Sequence, residues 1–221
     1  MKVAILLPGY CDSPDYLHIV TFEKRLKELG YVVKRIDPCN LWKTGDSSSY
    51  SITNYLRQIE KIVKSYKDQG PEEILLVGHS MGAFTSIIAG NRIKDVTKIV
   101  ALCPAADRKY FDDEWKKQKV KISTRDLPNN SQETRTFSIP YSFVEDGLQY
   151  SAANEVKTIN KPIMIFIALN DTVVLPEESE KVVSNANNPY IIRQPNMGHD
   201  FRKSQEQCNI VMKQIEAFLN Q

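Results

Sequence analysis

The sequence predicts an α/β fold, in which helices cover both faces of a parallel β-sheet. Six short apolar runs have the length of strands, at residues 2–7, 31–36, 73–77, 98–103, 162–168 and 190–193. Five segments carry apolar residues at the three- and four-residue spacing of amphipathic helices, at residues 19–29, 52–67, 81–91, 177–185 and 204–219. Nearly continuous apolar strands that alternate with helices are typical of parallel sheets with right-handed crossovers.

The length and composition of the chain predict one globular domain over residues 1–221. At 221 residues, with 42% hydrophobic and 25% charged side chains, the chain lies close to globular averages and far from disordered sequences. The formal net charge of +2 is too small to favour a polyanionic partner. We therefore expect no nucleic-acid partner, and no feature of the sequence predicts an oligomeric state.

The N-terminal apolar run predicts neither a signal peptide nor a membrane span. It extends only from Val3 to Leu7 and stops at Pro8 and Gly9, too short for either. We therefore expect a cytoplasmic protein.

The four cysteines form no C-x-x-C pair and have no metal-ligand spacing, so we expect reduced cysteines that pack in the core. A redox pair between Cys11 and Cys39 stays open, because each follows one of two strands that we place side by side. We expect no metal and no cofactor.

The alternation of strands and helices breaks once, between Pro104 and Ile159. This predicts an insertion, or lid, over about residues 107–157, before the fifth strand. Its aromatic residues either line a pocket for the substrate or attach the lid to the core, and both interpretations stay open: Tyr110, Phe111, Trp115, Phe137, Tyr141, Phe143 and Tyr150.

Ser80 is the candidate nucleophile, in the run Gly78-His79-Ser80-Met81-Gly82. This G-x-S-x-G pattern lies between a predicted strand and a predicted helix, the context in which it forms a nucleophile elbow. The turn holds the serine in a strained conformation, and the two glycines let the strand and the helix approach closely.

A serine nucleophile needs a base, and the chain contains three histidines. His199 follows the last predicted strand and precedes the last helix, so its loop can present the imidazole to Ser80. We expect His79, inside the elbow, to point away from the nucleophile and to be structural. We expect no chemical role for His18.

The base needs a carboxylate to orient it, and Asp171 follows the fifth predicted strand. Asp200 adjoins the histidine itself, while Asp146 and Glu145 lie in the insertion, so these are weaker candidates. The resulting chain order of serine, aspartate and histidine is the order found in α/β-hydrolases.

Two backbone N–H groups are the expected donors to the oxyanion of an acyl-transfer intermediate. One belongs to Met81, directly after the nucleophile. The other belongs to Tyr10, because Gly9 lets the turn after the first strand direct this N–H towards the site.

The sequence resembles the α/β-hydrolase superfamily from the first strand to the last helix. The run GHSMG at 78–82, the segment 161–174 and Gly198-His199 are similar to bacterial carboxylesterases, including the cinnamoyl and feruloyl esterase-like group. Two departures stand out: Pro8-Gly9 replaces the usual His-Gly, and nothing corresponds to the two antiparallel strands that commonly open the fold. The resemblance therefore implies a minimal six-stranded, mainly parallel sheet in the order 2-1-3-4-5-6.

The leading hypothesis is a serine hydrolase that cleaves a small-molecule carboxylic ester. The same triad also cleaves thioesters, amides or peptides, and it transfers acyl groups. A non-catalytic binding protein with this fold is the alternative from another class, and the intact triad argues against it.

Overall fold

A six-stranded parallel sheet forms the centre of the structure, a computed structural model that describes residues 1–107 and 113–221. The described residues contain eight strands: β1 (Lys2–Leu7), β2 (Tyr31–Arg35), β3 (Glu73–His79), β4 (Lys98–Leu102), β5 (Val120–Leu127), β6 (Asn130–Pro140), β7 (Ile163–Ala168) and β8 (Tyr190–Gln194). The sheet order is β2-β1-β3-β4-β7-β8, and every neighbouring pair is parallel. The predicted fold and the predicted order of the six sheet strands are confirmed.

Helices cover both faces of this sheet. The described α-helices are α1 (Leu17–Glu28), α2 (Leu41–Thr44), α3 (Ile52–Lys67), α4 (Met81–Arg92), α5 (Asp113–Gln118), α6 (Ser142–Gly147), α7 (Ala152–Glu155), α8 (Pro176–Asn185) and α9 (Gln205–Leu219). Successive side chains of a strand point to opposite faces. Ala4 and Leu6 of β1 accordingly pack in the layer of α1 and α9, whereas Val3 and Ile5 pack in the layer of α3 and α4.

Strand β3 extends two residues further than the sequence predicts, to His79. Gly78 and His79 continue the ladder by pairing with Ala101 and Leu102 of β4. Sequence patterning missed this extension because glycine and histidine are not typical strand residues. The nucleophile candidate therefore follows a strand that is paired up to its last residue.

The segment between β4 and β7 contains an antiparallel hairpin, β5–β6, followed by α6 and α7. Most of its strand residues are exposed, and Phe137 and Ile139 are the apolar residues of the hairpin that are fully buried. Asp107, near the start of the segment, and Ser151, near its end, form an isolated antiparallel β-bridge. That this segment acts as a lid stays a prediction.

Gly78 and Gly82 lie where backbones come closest. A Cβ added at Gly82 would be 1.9 Å from the carbonyl oxygen of Leu7, and one added at Gly78 would be 2.1 Å from the carbonyl oxygen of Gly82. Both distances are far below van der Waals contact, and the atoms met are backbone atoms that cannot rotate away. The start of α4 therefore packs directly on the end of β1.

All four cysteines are free thiols. Burial raises the pKa of Cys11 to about 12 and that of Cys39 to about 11. Since the thiolate is the reactive form, both thiols are disfavoured for redox chemistry.

No helix in the described parts of the chain is long and apolar enough to cross a membrane.

Gly82→Ala tests the close contact between α4 and β1. We expect it to destabilise the protein by more than about 3 kcal/mol, above the ~1–3 kcal/mol usual for an overpacked core, because a backbone carbonyl blocks the new methyl group. Urea unfolding measures the change. The control is Gly198→Ala, whose Cβ would be 3.4 Å from the Asn170 carbonyl oxygen, an ordinary contact. Equal unfolding midpoints for the two variants would contradict the prediction.

Candidate active site

Ser80 occupies a strained turn between β3 and α4. Its backbone has φ 56° and ψ −119°, a conformation that L-residues rarely adopt. Two hydrogen bonds hold it there: the Ser80 N–H donates to the Leu102 carbonyl at 2.9 Å, and its own carbonyl accepts from the Phe84 N–H at 3.0 Å. Such strain costs about 1–3 kcal/mol and persists only where the surrounding structure enforces it, which is typical of functional sites.

His199, which is partly buried, and the buried Asp171 form a hydrogen-bonded pair at the same edge of the sheet. The Nδ1 atom of His199 lies 2.7 Å from Oδ2 of Asp171, whose side chain is 2% exposed. The other carboxylate oxygen, Oδ1, accepts the N–H groups of Val173 and Val174, each at 2.8 Å. Because a carboxylate only accepts hydrogen bonds, Nδ1 of His199 is the donor, and in the neutral imidazole Nε2 is then the acceptor.

The ring of His199 lies close to the elbow. Its centroid is 4.8 Å from that of His79, the residue before Ser80. The loop is anchored by the buried side chains of Met197 and Phe201, on either side of the histidine. The structure thus brings the predicted base and its carboxylate to the turn that carries the predicted nucleophile.

Two backbone N–H groups beside Ser80 are available as donors. Met81 is the first residue of α4, so the helix itself cannot pair its N–H. The Tyr10 N–H donates to no acceptor within residues 1–107 and 113–221. A Cβ added at Gly9 would be 3.3 Å from the Ser80 Cβ, so the turn after β1 lies directly against the nucleophile.

A cavity of about 300 Å³ opens at Ser80. Most of its lining is apolar, and the lining residues are Tyr10, Ser80, Met81, Phe84, Ala105, Trp115, Lys121, Phe143, Val173 and Val174. The described aromatic residues of the insertion lie in two kinds of environment. Trp115 and Phe143 line the cavity, whereas Phe137 packs on Trp42 with ring centroids 5.4 Å apart. Tyr110 and Phe111 lie outside the described residues.

His18 and His79 are buried behind the elbow, with ring centroids 5.2 Å apart. None of their four ring nitrogens has a hydrogen-bond partner among the described residues. Burial lowers the pKa of His18 to about 3 and lowers that of His79 well below its ordinary value. Both imidazoles are therefore neutral at physiological pH.

Three charged residues beside the site escaped sequence analysis: Asp12, Arg125 and Arg202. The Asp12 carboxyl is buried, which raises its pKa, while the guanidinium groups of Arg125 and Arg202 act in the opposite direction. Of these three residues, Asp12 has a position in the sequence, just after the first strand, that could have indicated that it lies beside the site. Arg125 reaches Tyr10 across 115 residues of sequence, and Arg202 reaches Asp126 across 76.

Two groups of side chains, among the described residues, bring possible metal ligands within 4.8 Å of one another: Asp12, His18 and His79, and His79, Cys103 and His199. The positive charges of Arg125 and Arg202 act on the first group and oppose a divalent cation there. In the second group, Nδ1 of His199 is already bonded to Asp171. We assign a metal to neither group.

Comparison with a family model gives one match over most of the chain. Residues 44–221 match the model of the prolyl oligopeptidase family, Peptidase_S9. The matched region begins before β3 and includes Ser80, Asp171 and His199. The turn after β1 lies outside it.

Among curated proteins, the chain is similar to the mitochondrial palmitoyl-protein thioesterase ABHD10 of Mus musculus. The two are 22% identical over 192 residues, which cover 84% of this chain. The matched region is 64% of the length of that relative. A similar match joins the chain to the corresponding protein of Rattus norvegicus, at 21% identity.

Solved structures confirm the α/β-hydrolase fold. Est1E from Butyrivibrio proteoclasticus aligns with a TM-score of 0.74 and 18% identity, covering 99% of this chain and 86% of that one. A second structure of Est1E, with ferulic acid bound, has a TM-score of 0.75. Alpha/beta hydrolase domain-containing protein 10 from mouse aligns with a TM-score of 0.72 and 20% identity, covering 99% and 89% of the two chains.

His18→Phe tests the buried imidazoles, because it keeps an aromatic ring but removes the titrating group. Unfolded His18 binds a proton near pH 6.5, but folded His18 only near pH 3, so stability is lost as pH falls between these values. From pH 7 to pH 5 we expect the wild type to lose about 2 kcal/mol more than the variant. Urea unfolding at both pH values measures this, and parallel losses would refute it.

Proposed function

We propose that this chain, which belongs to the prolyl oligopeptidase family, is a serine hydrolase. In this proposal it cleaves small carboxylic esters through an acyl-enzyme intermediate. The observation that carries the proposal is the hydrogen-bonded pair of Asp171 and His199 at the strained turn of Ser80. In the proposed reaction Ser80 Oγ attacks the ester carbonyl while His199 Nε2 accepts the hydroxyl proton. Asp171 orients the imidazole and stabilises its charged form.

The proposed tetrahedral intermediate carries a negative charge on the former carbonyl oxygen. The N–H groups of Tyr10 and Met81 are the proposed donors to this oxygen, and their fixed position means that no reorganisation is needed during reaction. His199 then returns the proton to the leaving alcohol. A water molecule, activated by the same imidazole, hydrolyses the acyl-enzyme and frees Ser80. No cofactor takes part in this scheme.

The size and lining of the cavity support a small apolar or aromatic acyl group. Its volume of about 300 Å³ is at the lower end of the ~300–1,000 Å³ range of ligand pockets. The rings of Trp115 and Phe143 are stacked, with an interplanar angle of 19°, and form one wall. A flat or short acyl chain is therefore favoured over a long fatty acyl chain.

Thioester hydrolysis is the second candidate function, and the match to a palmitoyl-protein thioesterase over 84% of this chain favours it. The same triad attacks a thioester carbonyl and releases a thiol in place of an alcohol. Amide or peptide hydrolysis is a further alternative, as the name of the matched family indicates.

We propose a cytoplasmic location and a small-molecule ester as the ligand, with no nucleic-acid partner. The small net charge supports the last point. The name of the mouse relative places that protein in mitochondria, so fractionation of cells is the test of location.

Ser80→Ala tests the nucleophile. We expect it to lower kcat for ester hydrolysis at least about 10⁴-fold, because the remaining groups cannot form an acyl-enzyme. A fluorophosphonate probe should label the wild type and spare the variant. The matched control is Ser86→Ala, since Ser86 is a buried serine of α4 whose hydroxyl donates to the Ala83 carbonyl. Equal labelling of Ser80→Ala and the wild type would rule out the proposed nucleophile.

A panel of substrates tests the acyl group and the bond that is cleaved. We expect acetyl, butyryl and hydroxycinnamoyl esters to have a higher kcat/KM than palmitoyl esters, because the cavity is small. Matched thioesters and aminoacyl amides with the same acyl groups separate the candidate functions. A palmitoyl thioester as the best substrate would overturn both the ester assignment and the size argument.

A further inference from the structure

The turn that follows β1 is held through its carbonyl groups. Each of the four carbonyls in residues 8–11 accepts a hydrogen bond. In order along the turn, the donors are Tyr55 Oη, the Asp12 N–H, Arg125 Nη2 and Trp42 Nε1. This turn contains Tyr10, one of the two proposed oxyanion donors, so its rigidity bears directly on catalysis.

Arg125 differs from the other three donors because it belongs to the β5–β6 hairpin, 115 residues further along the chain. Besides its bond to the Tyr10 carbonyl, its guanidinium lies 5.7 Å from the centroid of the Tyr10 ring. Its Nε atom is 3.8 Å from Oδ1 of the buried Asp12. One side chain of the insertion thus contacts the backbone, the ring and the neighbouring carboxylate of the turn.

Ser123 strengthens the same attachment. It lies two residues before Arg125 and therefore on the same face of β5. Its hydroxyl and the Tyr10 hydroxyl are 2.7 Å apart, a hydrogen bond that either group can donate. Strand β5 thus holds Tyr10 at its carbonyl through Arg125 and at the tip of its side chain through Ser123.

The peptide group between Tyr10 and Cys11 is fixed on both sides. Its carbonyl accepts from Arg125, and its N–H donates to the Tyr50 hydroxyl at 2.7 Å. A peptide group is planar, so fixing this one leaves Tyr10 little freedom in ψ and restricts the orientation of the preceding N–H. That preceding N–H is the one that Tyr10 would offer to the oxyanion.

We infer that Arg125 is a positioning residue that holds the Tyr10 N–H in place for the oxyanion, so that the hairpin forms part of the catalytic centre. This inference rests on the proposed function. A hydrogen bond from a guanidinium is charge-assisted and about twice as strong as one between neutral groups. A strong bond suits the positioning of the Tyr10 N–H, because oxyanion donors are effective when they are already in position before the reaction.

Arg125→Ala against Arg135→Ala is the decisive comparison. Arg135 pairs with Arg125 across the hairpin, donates to the Trp42 carbonyl and stacks 5.2 Å from the Phe137 ring. It attaches the same hairpin through Trp42 and Phe137 and not through Tyr10, so it controls for loss of attachment and of positive charge. We expect Arg125→Ala to lower kcat about 10- to 100-fold with KM little changed, as for a misplaced catalytic group. Arg135→Ala should leave kcat close to that of the wild type.

A second measurement separates positioning from stability. The tetrahedral adduct of a fluorophosphonate places an oxygen against the same N–H donors, so Arg125→Ala should slow labelling of Ser80 by a factor similar to that for kcat. Thermal unfolding of both variants shows whether each is folded at the assay temperature. Should Arg125→Ala not fold, Arg125→Gln keeps part of the aliphatic stem and an amide, and it is subject to the same expectation.

The outcomes distinguish this inference from the proposed function. If the wild type shows no Ser80-dependent hydrolysis, the proposed function fails. If the wild type is active and the two arginine variants have equal kcat values and labelling rates, only the positioning of Tyr10 by Arg125 is overturned. A rise in KM at unchanged kcat would also overturn it, because Arg125 would then contribute to substrate binding alone.

Discussion

The contact between Gly82 and the carbonyl of Leu7 is the constraint on which the rest of the site depends. Only a residue without a side chain lets α4 begin directly on the end of β1, since a Cβ there would be 1.9 Å from that oxygen. Ser80 lies between this contact and the end of β3, so it is forced against the turn at Gly9. The two proposed oxyanion donors therefore come from the two backbones that this contact brings together, and neither requires a side chain of its own.

The triad candidates must still meet across the sheet. Strands β3 and β8 are separated by two others, which corresponds to about 14 Å at the usual strand spacing. The loop after β8 spans this distance. The buried side chains of Met197 and Phe201 hold it in place, as does the hydrogen bond from the Asn170 N–H to the Met197 carbonyl at 2.9 Å. That last bond ties the loop of the histidine to the loop of Asp171. The imidazole is thus held by a carboxylate that is itself held by backbone N–H groups.

The sequence predicts the sheet well because the four inner strands, β1, β3, β4 and β7, are almost fully buried and therefore read as apolar runs. The loops at the carboxyl ends of such strands are also predictable, which is why Asp171 and His199 stand out. The insertion is different. Most strand residues of its hairpin are exposed, and Arg125 acts through Tyr10, a partner 115 residues away that no local pattern identifies. Long-range ion pairs leave no periodic signal, so Arg125 and Arg202 emerge only from the folded arrangement, whereas Asp12 is indicated in the sequence by its position after the first strand.

The ion pairs of β5 argue against a movement of the whole insertion away from the active site. Arg125 lies beside the buried Asp12, and Asp126 accepts from Arg202 of the histidine loop at 3.2 Å. Strand β5 thus connects the turn after β1 to the loop of His199. Detaching it would leave a buried carboxylate without one of its cationic neighbours, and breaking a buried pair typically costs about 3–5 kcal/mol. The contact between Arg125 and Asp12 is long, at 3.8 Å, and partly exposed, so breaking it costs less than this. Detaching β5 also breaks the bond from Arg125 to the Tyr10 carbonyl and the bond from Arg202 to Asp126, which adds to the cost. We therefore expect β5 to stay in place while substrate enters, with any opening confined to parts of the insertion that lack these contacts.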